Sequence, residues 1–138
     1  MKYLYQEIKK ENGEALRGVI NLPDDFDENK KYKTIIFFHG LSGDRNGSKR
    51  FRISNAKYLC DRGYVVIRFD FSGTGESDGS FYDMTLTREL KEARLIVDFT
   101  NTLSYIDKNE ISWYGHSLGG VIATLFACEL KLKSLLLL

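Results

Sequence analysis

Gly115-His116-Ser117-Leu118-Gly119 sets a serine in a Gly-x-Ser-x-Gly pentapeptide, with Ile111-Ser112-Trp113-Tyr114 before it and Val121-Ile122-Ala123 close behind. A strand, a sharp turn and a helix in immediate succession lift a serine hydroxyl above the sheet edge, where it can attack a carbonyl carbon. The chemistry such a serine performs is acyl transfer. The backbone N–H of Leu118 would stand at the positive end of the new helix, where a developing oxyanion is stabilised. Gly115 and Gly119 fit the turn because a side chain at either position would block the close approach of strand and helix. His116 adjoins Ser117, but neighbours at a sharp turn point in different directions. It is therefore expected to pack or hydrogen-bond beneath the elbow rather than to take the serine's proton.

These residues need a scaffold, and the rest of the chain reads as one. Residues 1–22 suggest a β-hairpin, with Tyr3, Tyr5 and Ile8 in one arm, Leu16, Val19 and Ile20 in the other, and Glu11-Asn12-Gly13 as the turn. Thr34-Ile35-Ile36-Phe37-Phe38 and Tyr64-Val65-Val66-Ile67-Arg68-Phe69 are apolar on both faces, as central parallel strands are. A helix around 49–62 should turn Ile53, Ala56, Leu59 and Cys60 inward, with Gly63 as its cap. A second, from about Thr85 to Leu103, presents Leu86, Leu90, Ala93 and Val97. After the elbow, Leu118, Val121, Ile122, Leu125 and Phe126 fall on one helical face. Residues 133–138 read as one more buried strand. Strands alternating with helices after a hairpin point to an α/β domain over 1–138, its sheet mostly parallel and its helices on both faces.

Composition narrows the function. The formal net charge of 138 residues is +1, so nothing suggests nucleic acid or an acidic membrane surface as partner. No apolar run approaches a transmembrane length, and no signal-peptide core follows Met1. Cys60 and Cys128 read as small core residues, which suits a reducing cytoplasm. Neither has metal-ligand spacing to a histidine, so no metal and no cofactor are expected.

Three loops, 39–47, 70–82 and 115–119, fall at the carboxyl ends of the expected parallel strands, the edge where open α/β sheets collect their chemistry. Phe37-Phe38-His39-Gly40-Leu41, Arg68-Phe69-Asp70-Phe71-Ser72-Gly73-Thr74-Gly75-Glu76-Ser77-Asp78-Gly79 and Gly115-His116-Ser117-Leu118-Gly119-Gly120 stand in this order. In this the chain resembles the α/β-hydrolase superfamily, its cinnamoyl/feruloyl-type esterases and its serine-aminopeptidase-like and acylglycerol-lipase-like members above all. The resemblance implies Ser117 as acyl nucleophile and the backbone N–H groups of Leu41 and Leu118 as the oxyanion hole, each worth about 3 kcal/mol of barrier. It implies His39 and Gly40 as supports of the oxyanion loop, and Asp70 as a structural residue capping loop amides.

One departure matters. In this fold the catalytic acid and histidine follow the nucleophile. After Ser117 the only acid is Glu129, and there is no histidine. The sequence therefore reads as the N-terminal portion of a serine hydrolase acting on small carboxylic esters, with little activity expected of these 138 residues alone. The alternative is a non-catalytic fragment that associates with itself or with a C-terminal complement through residues 133–138. An epoxide hydrolase or dehalogenase is disfavoured because those need an aspartate at the elbow. A dinucleotide site is disfavoured because Gly73-x-Gly75 lacks a third glycine and opens no helix.

Overall fold

A computed structural model describes residues 1–129 and 132–138. Its frame is a six-stranded sheet. β1 (Lys2–Lys9) and β2 (Ala15–Leu22) form the antiparallel hairpin, closed by the Lys10 and Gly13 amides, which donate to Glu14 O and Lys10 O. β3 (Tyr32–Phe38), β4 (Val65–Phe69), β5 (Ile106–Gly115) and β6 (Ser134–Leu137) complete it in the order β1-β2-β4-β3-β5-β6. β2 runs antiparallel to β4, whereas β4, β3, β5 and β6 are mutually parallel. The expected mostly parallel sheet with its N-terminal hairpin is thus present.

Alternation along the strands divides two cores. Ile36, Phe38, Ile67 and Trp113 point to the face covered by α2 (Leu86–Thr102) and α3 (Leu118–Ala127), meeting Ala93, Ile96, Ile122 and Phe126. Phe37, Val66 and Tyr114 point the other way, against Ala56 and Cys60 of α1 (Phe51–Cys60). Helices therefore cover both faces, as the apolar strands require. Thr85 caps α2 by accepting the Arg88 N–H at 3.1 Å. α1 ends in a Schellman turn, the Gly63 and Tyr64 amides donating to Cys60 O and Leu59 O.

Several expectations about individual side chains are corrected. α1 begins later than residue 49, because Lys49 and Arg50 are left-handed and Ser48–Arg50 forms a 3-10 turn. On α1, Ile53 and Leu59 are only half-buried, while Arg52 is buried. Leu86 is exposed, one turn before the buried stripe of α2 that starts at Glu89. Val121 and Leu125 are also exposed, the buried stripe of α3 running through Gly119, Gly120, Ile122, Ala123 and Phe126. α3 is apolar almost all round, so its periodicity could not single out the inward face. Cys128 is exposed just after α3 and not a core residue. β6 forms, but at the sheet edge, where Leu136, Leu137 and Leu138 are exposed rather than buried.

Candidate active site

Ser117 joins β5 to α3 with φ 52° and ψ −121°, a conformation that costs a residue with a side chain on the order of 1–3 kcal/mol. The surroundings hold it there. The His116 N–H donates to Phe38 O of β3 at 3.2 Å and the Ser117 N–H donates to Leu138 O at 2.7 Å, so the elbow is tied to both neighbouring strands. A Cβ at Gly119 would lie 2.3 Å from Phe38 O and 2.4 Å from His39 O; one at Gly115 would lie 2.6 Å from Gly119 O. Only glycine permits so close a crossing of backbones. The Ser117 side chain makes no cap hydrogen bond to α3, and the residue is exposed.

The end of β3 brings Gly40 against the elbow, since a Cβ there would stand 3.0 Å from Ser117 Cβ and His116 O. Among the described residues, neither the Leu41 nor the Leu118 N–H donates a hydrogen bond. Leu118 is the first residue of α3, where an N–H has no intrahelical partner. Ser117 looks onto two cavities. One, of about 440 Å³, is polar and apolar in equal measure and is lined by Gly40, Leu41, Ser42, Asp44 and Arg52 among others. The other, of about 360 Å³, is apolar and is lined by Val121, Leu125, Leu137 and Leu138.

The two histidines are placed differently. His39 is buried; its Nε2 accepts the Phe71 N–H at 3.0 Å, so its Nδ1 carries the proton and donates to Gly40 O at 2.9 Å. Burial pushes its pKa below the ordinary 6.5, and the ring stays neutral. With its lone pair occupied, it fastens the loop after β3 to the loop after β4. His116 does not lie beneath the elbow. It is exposed and lines the larger of these cavities beside Ser117, without a hydrogen bond to it among the described residues.

Asp70 is fully buried at the end of β4. Its carboxylate accepts the Arg45 N–H at 2.6 Å, the Glu76 N–H at 3.0 Å and the Arg45 guanidinium, which also reaches Glu76. Sequence reasoning missed this Arg45 clamp and also Glu92. From α2, Glu92 accepts the Ser72 N–H at 2.9 Å and the Ser72 hydroxyl, with Lys10 and Arg88 as cationic partners. Arg45 carries no periodic signal. Glu92 carries none either, since at 100° per residue it falls well round the helix from the predicted inward Ala93 and Val97. No group of three or more His, Cys, Asp or Glu is placed to hold a metal ion among the described residues. No helix among them is long and apolar enough to cross a membrane.

The arrangement leaves one exposed hydroxyl near two N–H groups that have no internal partner among the described residues. Its likeness to known proteins extends over most of its length. The family model described as serine aminopeptidase, S33, matches residues 29–134, more than three quarters of the chain. A lysophosphatidylserine lipase of Xenopus tropicalis, ABHD12, is 36% identical over 93 residues, covering 67% of this chain and 22% of the relative. YcjY of Escherichia coli K12 is 30% identical over 106 residues, 76% of this chain and 34% of that protein. Est1E of Butyrivibrio proteoclasticus, solved with ferulic acid bound, superposes with a TM-score of 0.79 at 28% identity, over 91% of this chain and 47% of that one. The chain thus spans about a third or less of these curated relatives and about half of the solved esterase.

Proposed function

This chain belongs to the serine aminopeptidase S33 family and has the α/β-hydrolase fold, and from that premise we propose that it carries the nucleophile and oxyanion hole of a serine hydrolase acting on carboxylic esters. One observation carries the reading: Ser117 is held at positive φ between β5 and α3, beside two N–H groups with no internal partner. Ser117 Oγ attacks the ester carbonyl and loses its proton to a base. The Leu41 and Leu118 amides stabilise the oxyanion, the alcohol leaves with a proton, and water then releases the acid. An ester rather than a peptide is favoured by the apolar cavity at Ser117 and by the likeness to Est1E. Two free thiols suit a reducing, cytoplasmic setting.

Among the described residues neither histidine hydrogen-bonds Ser117, His116 included, so this reading takes the base from elsewhere. His39 has its lone pair engaged, and Glu129, the only acid after Ser117, faces Arg94 instead. A non-catalytic role through the open edge of β6 is the second reading, favoured by the exposed Leu136–Leu138. Labelling with a fluorophosphonate, followed by peptide mass mapping, separates the two. The first reading expects adduct on Ser117, slowly formed and absent in Ser117→Ala. Label spread over other serines, or unchanged in the alanine variant, would overturn it.

A further inference from the structure

A further cavity, of about 640 Å³, opens on the hairpin side of the sheet, walled by Tyr3, Tyr5, Arg45, Asn46, Arg50 and Arg68. Three guanidinium groups line it and no carboxylate does. Arg68 is 1% exposed, and its hydrogen bonds go to neutral acceptors, Asn21 Oδ1 at 2.9 Å and Arg45 O at 2.6 Å. No acid lies within ion-pair distance of Arg68 or of the exposed Arg50 among the described residues. Arg45 is matched by Asp70 and Glu76, yet its Nε is buried without a partner. Burial, with the Arg45 charge beside it, pushes the Arg68 pKa down to about 10. A buried cation without a counter-charge is costly, and an anion in the cavity would supply one.

We propose that this cavity binds a small aromatic oxyanion, a phosphate or carboxylate whose charged end meets Arg68 and Arg50 and whose ring lies against Tyr3 and Tyr5. Guanidinium forks match both kinds of oxyanion, and the exposed phenol rings offer flat faces to a planar group. The site stands apart from the ester-hydrolase reading, but it touches the same loop. Gly40–Asp44, Gly47, Ser48 and Arg52 line the Ser117 cavity, while Arg45, Asn46, Arg50 and Ile53 line this one. An occupant would therefore brace from behind the segment that carries Leu41.

Calorimetric titration of the 138-residue chain at low salt with phenyl phosphate, benzoate, inorganic phosphate and neutral phenol tests the proposal. Saturable one-to-one binding of phenyl phosphate or benzoate is expected, weaker binding of inorganic phosphate, and none of phenol. Arg50→Gln should weaken the interaction about tenfold, the loss of one charged hydrogen bond. Arg62→Gln should leave it unchanged, because Arg62 stacks on Tyr58 outside the cavity. In wild type the Arg50 and Arg68 Nε–H resonances should shift on titration, which requires no variant to fold. Absence of saturable binding by all three anions, equal weakening by Arg50→Gln and Arg62→Gln, or phenol binding as tightly as phenyl phosphate would overturn the site.

Discussion

At the scale of single residues, backbone and side chain divide the work around Ser117. Leu41 is exposed and its proposed role rests on its N–H, so Leu41→Ala should change the rate of ester hydrolysis only modestly. Leu41→Pro deletes the donor and should cost on the order of a hundredfold or more in kcat. Equal losses in the two variants, both folded by circular dichroism, would mean that the side chain matters instead. Ser117→Ala should remove at least about three orders of magnitude in a protein that also supplies the base. Glu89 makes a different prediction. Buried on α2 near Glu92, its pKa rises from the ordinary 4.5 to about 7, desolvation being the larger cause. Between those two values the unfolded chain releases the proton and the folded chain keeps it, so stability falls as pH rises from about 4.5 to about 7 and is level above. The fall is at most about 3 kcal/mol. Glu89→Gln should flatten this slope and stabilise the protein at pH 8, as read by urea denaturation at pH 5 and pH 8. The elbow serine was legible in the sequence because glycine spacing announces it. Arg45, Arg68 and Glu92 were not, since each is buried by partners 20 or more residues away, such as Asp70, Asn21 and Ser72.

At the scale of elements, sequence pattern worked where one period dominated. β3 and β4 showed themselves as short apolar runs between polar loops, and the hairpin showed itself by Asn12-Gly13 between two strand-like arms. Pattern failed where a helix was apolar throughout or was set by tertiary contact. Nothing in Leu118–Ala127 tells Val121 from Ile122, yet one is exposed and the other fully buried. What selects the inward face of α3 is the backbone crossing at Gly119, fixed by β3 and β5 together. Gly119→Ala should accordingly push α3 away from Phe38 O and His39 O, which, being backbone, cannot give way as a side chain can. A loss of about 1–3 kcal/mol is expected from such overpacking. Gly13→Ala is the contrast in space though not in backbone, since nothing lies within 4 Å of its Cβ position while its φ is +86°. Comparing the two by thermal unfolding separates steric crowding from turn strain. Reactivity of Ser117 should suffer only in Gly119→Ala.

At the scale of the whole molecule, the sheet has two unlike edges. β1 pairs along its full length with β2 and carries Lys2, Lys9 and other polar residues outward, features that discourage a further strand. β6 pairs with β5 through only four residues and presents Leu136, Leu137 and Leu138, each about half or more exposed. Next to it, Val121 and Leu125 extend the apolar surface along α3, and Ile35, Phe37 and Tyr58 line a cavity of about 350 Å³ on the opposite face together with Leu136. An unpaired parallel strand flanked by apolar surface on both faces is a template for another chain. The 138-residue species should therefore self-associate at micromolar concentration, with the contact running through residues 133–138. Leu136→Lys places a charge in that contact and leaves β5 pairing untouched. It should weaken association about tenfold or more, the equivalent of one leucine's burial. Multi-angle light scattering over a concentration series measures both proteins directly. A wild-type chain that stays monodisperse and monomeric, or a Leu136→Lys chain that associates as strongly as wild type, would show that the contact lies elsewhere or does not form.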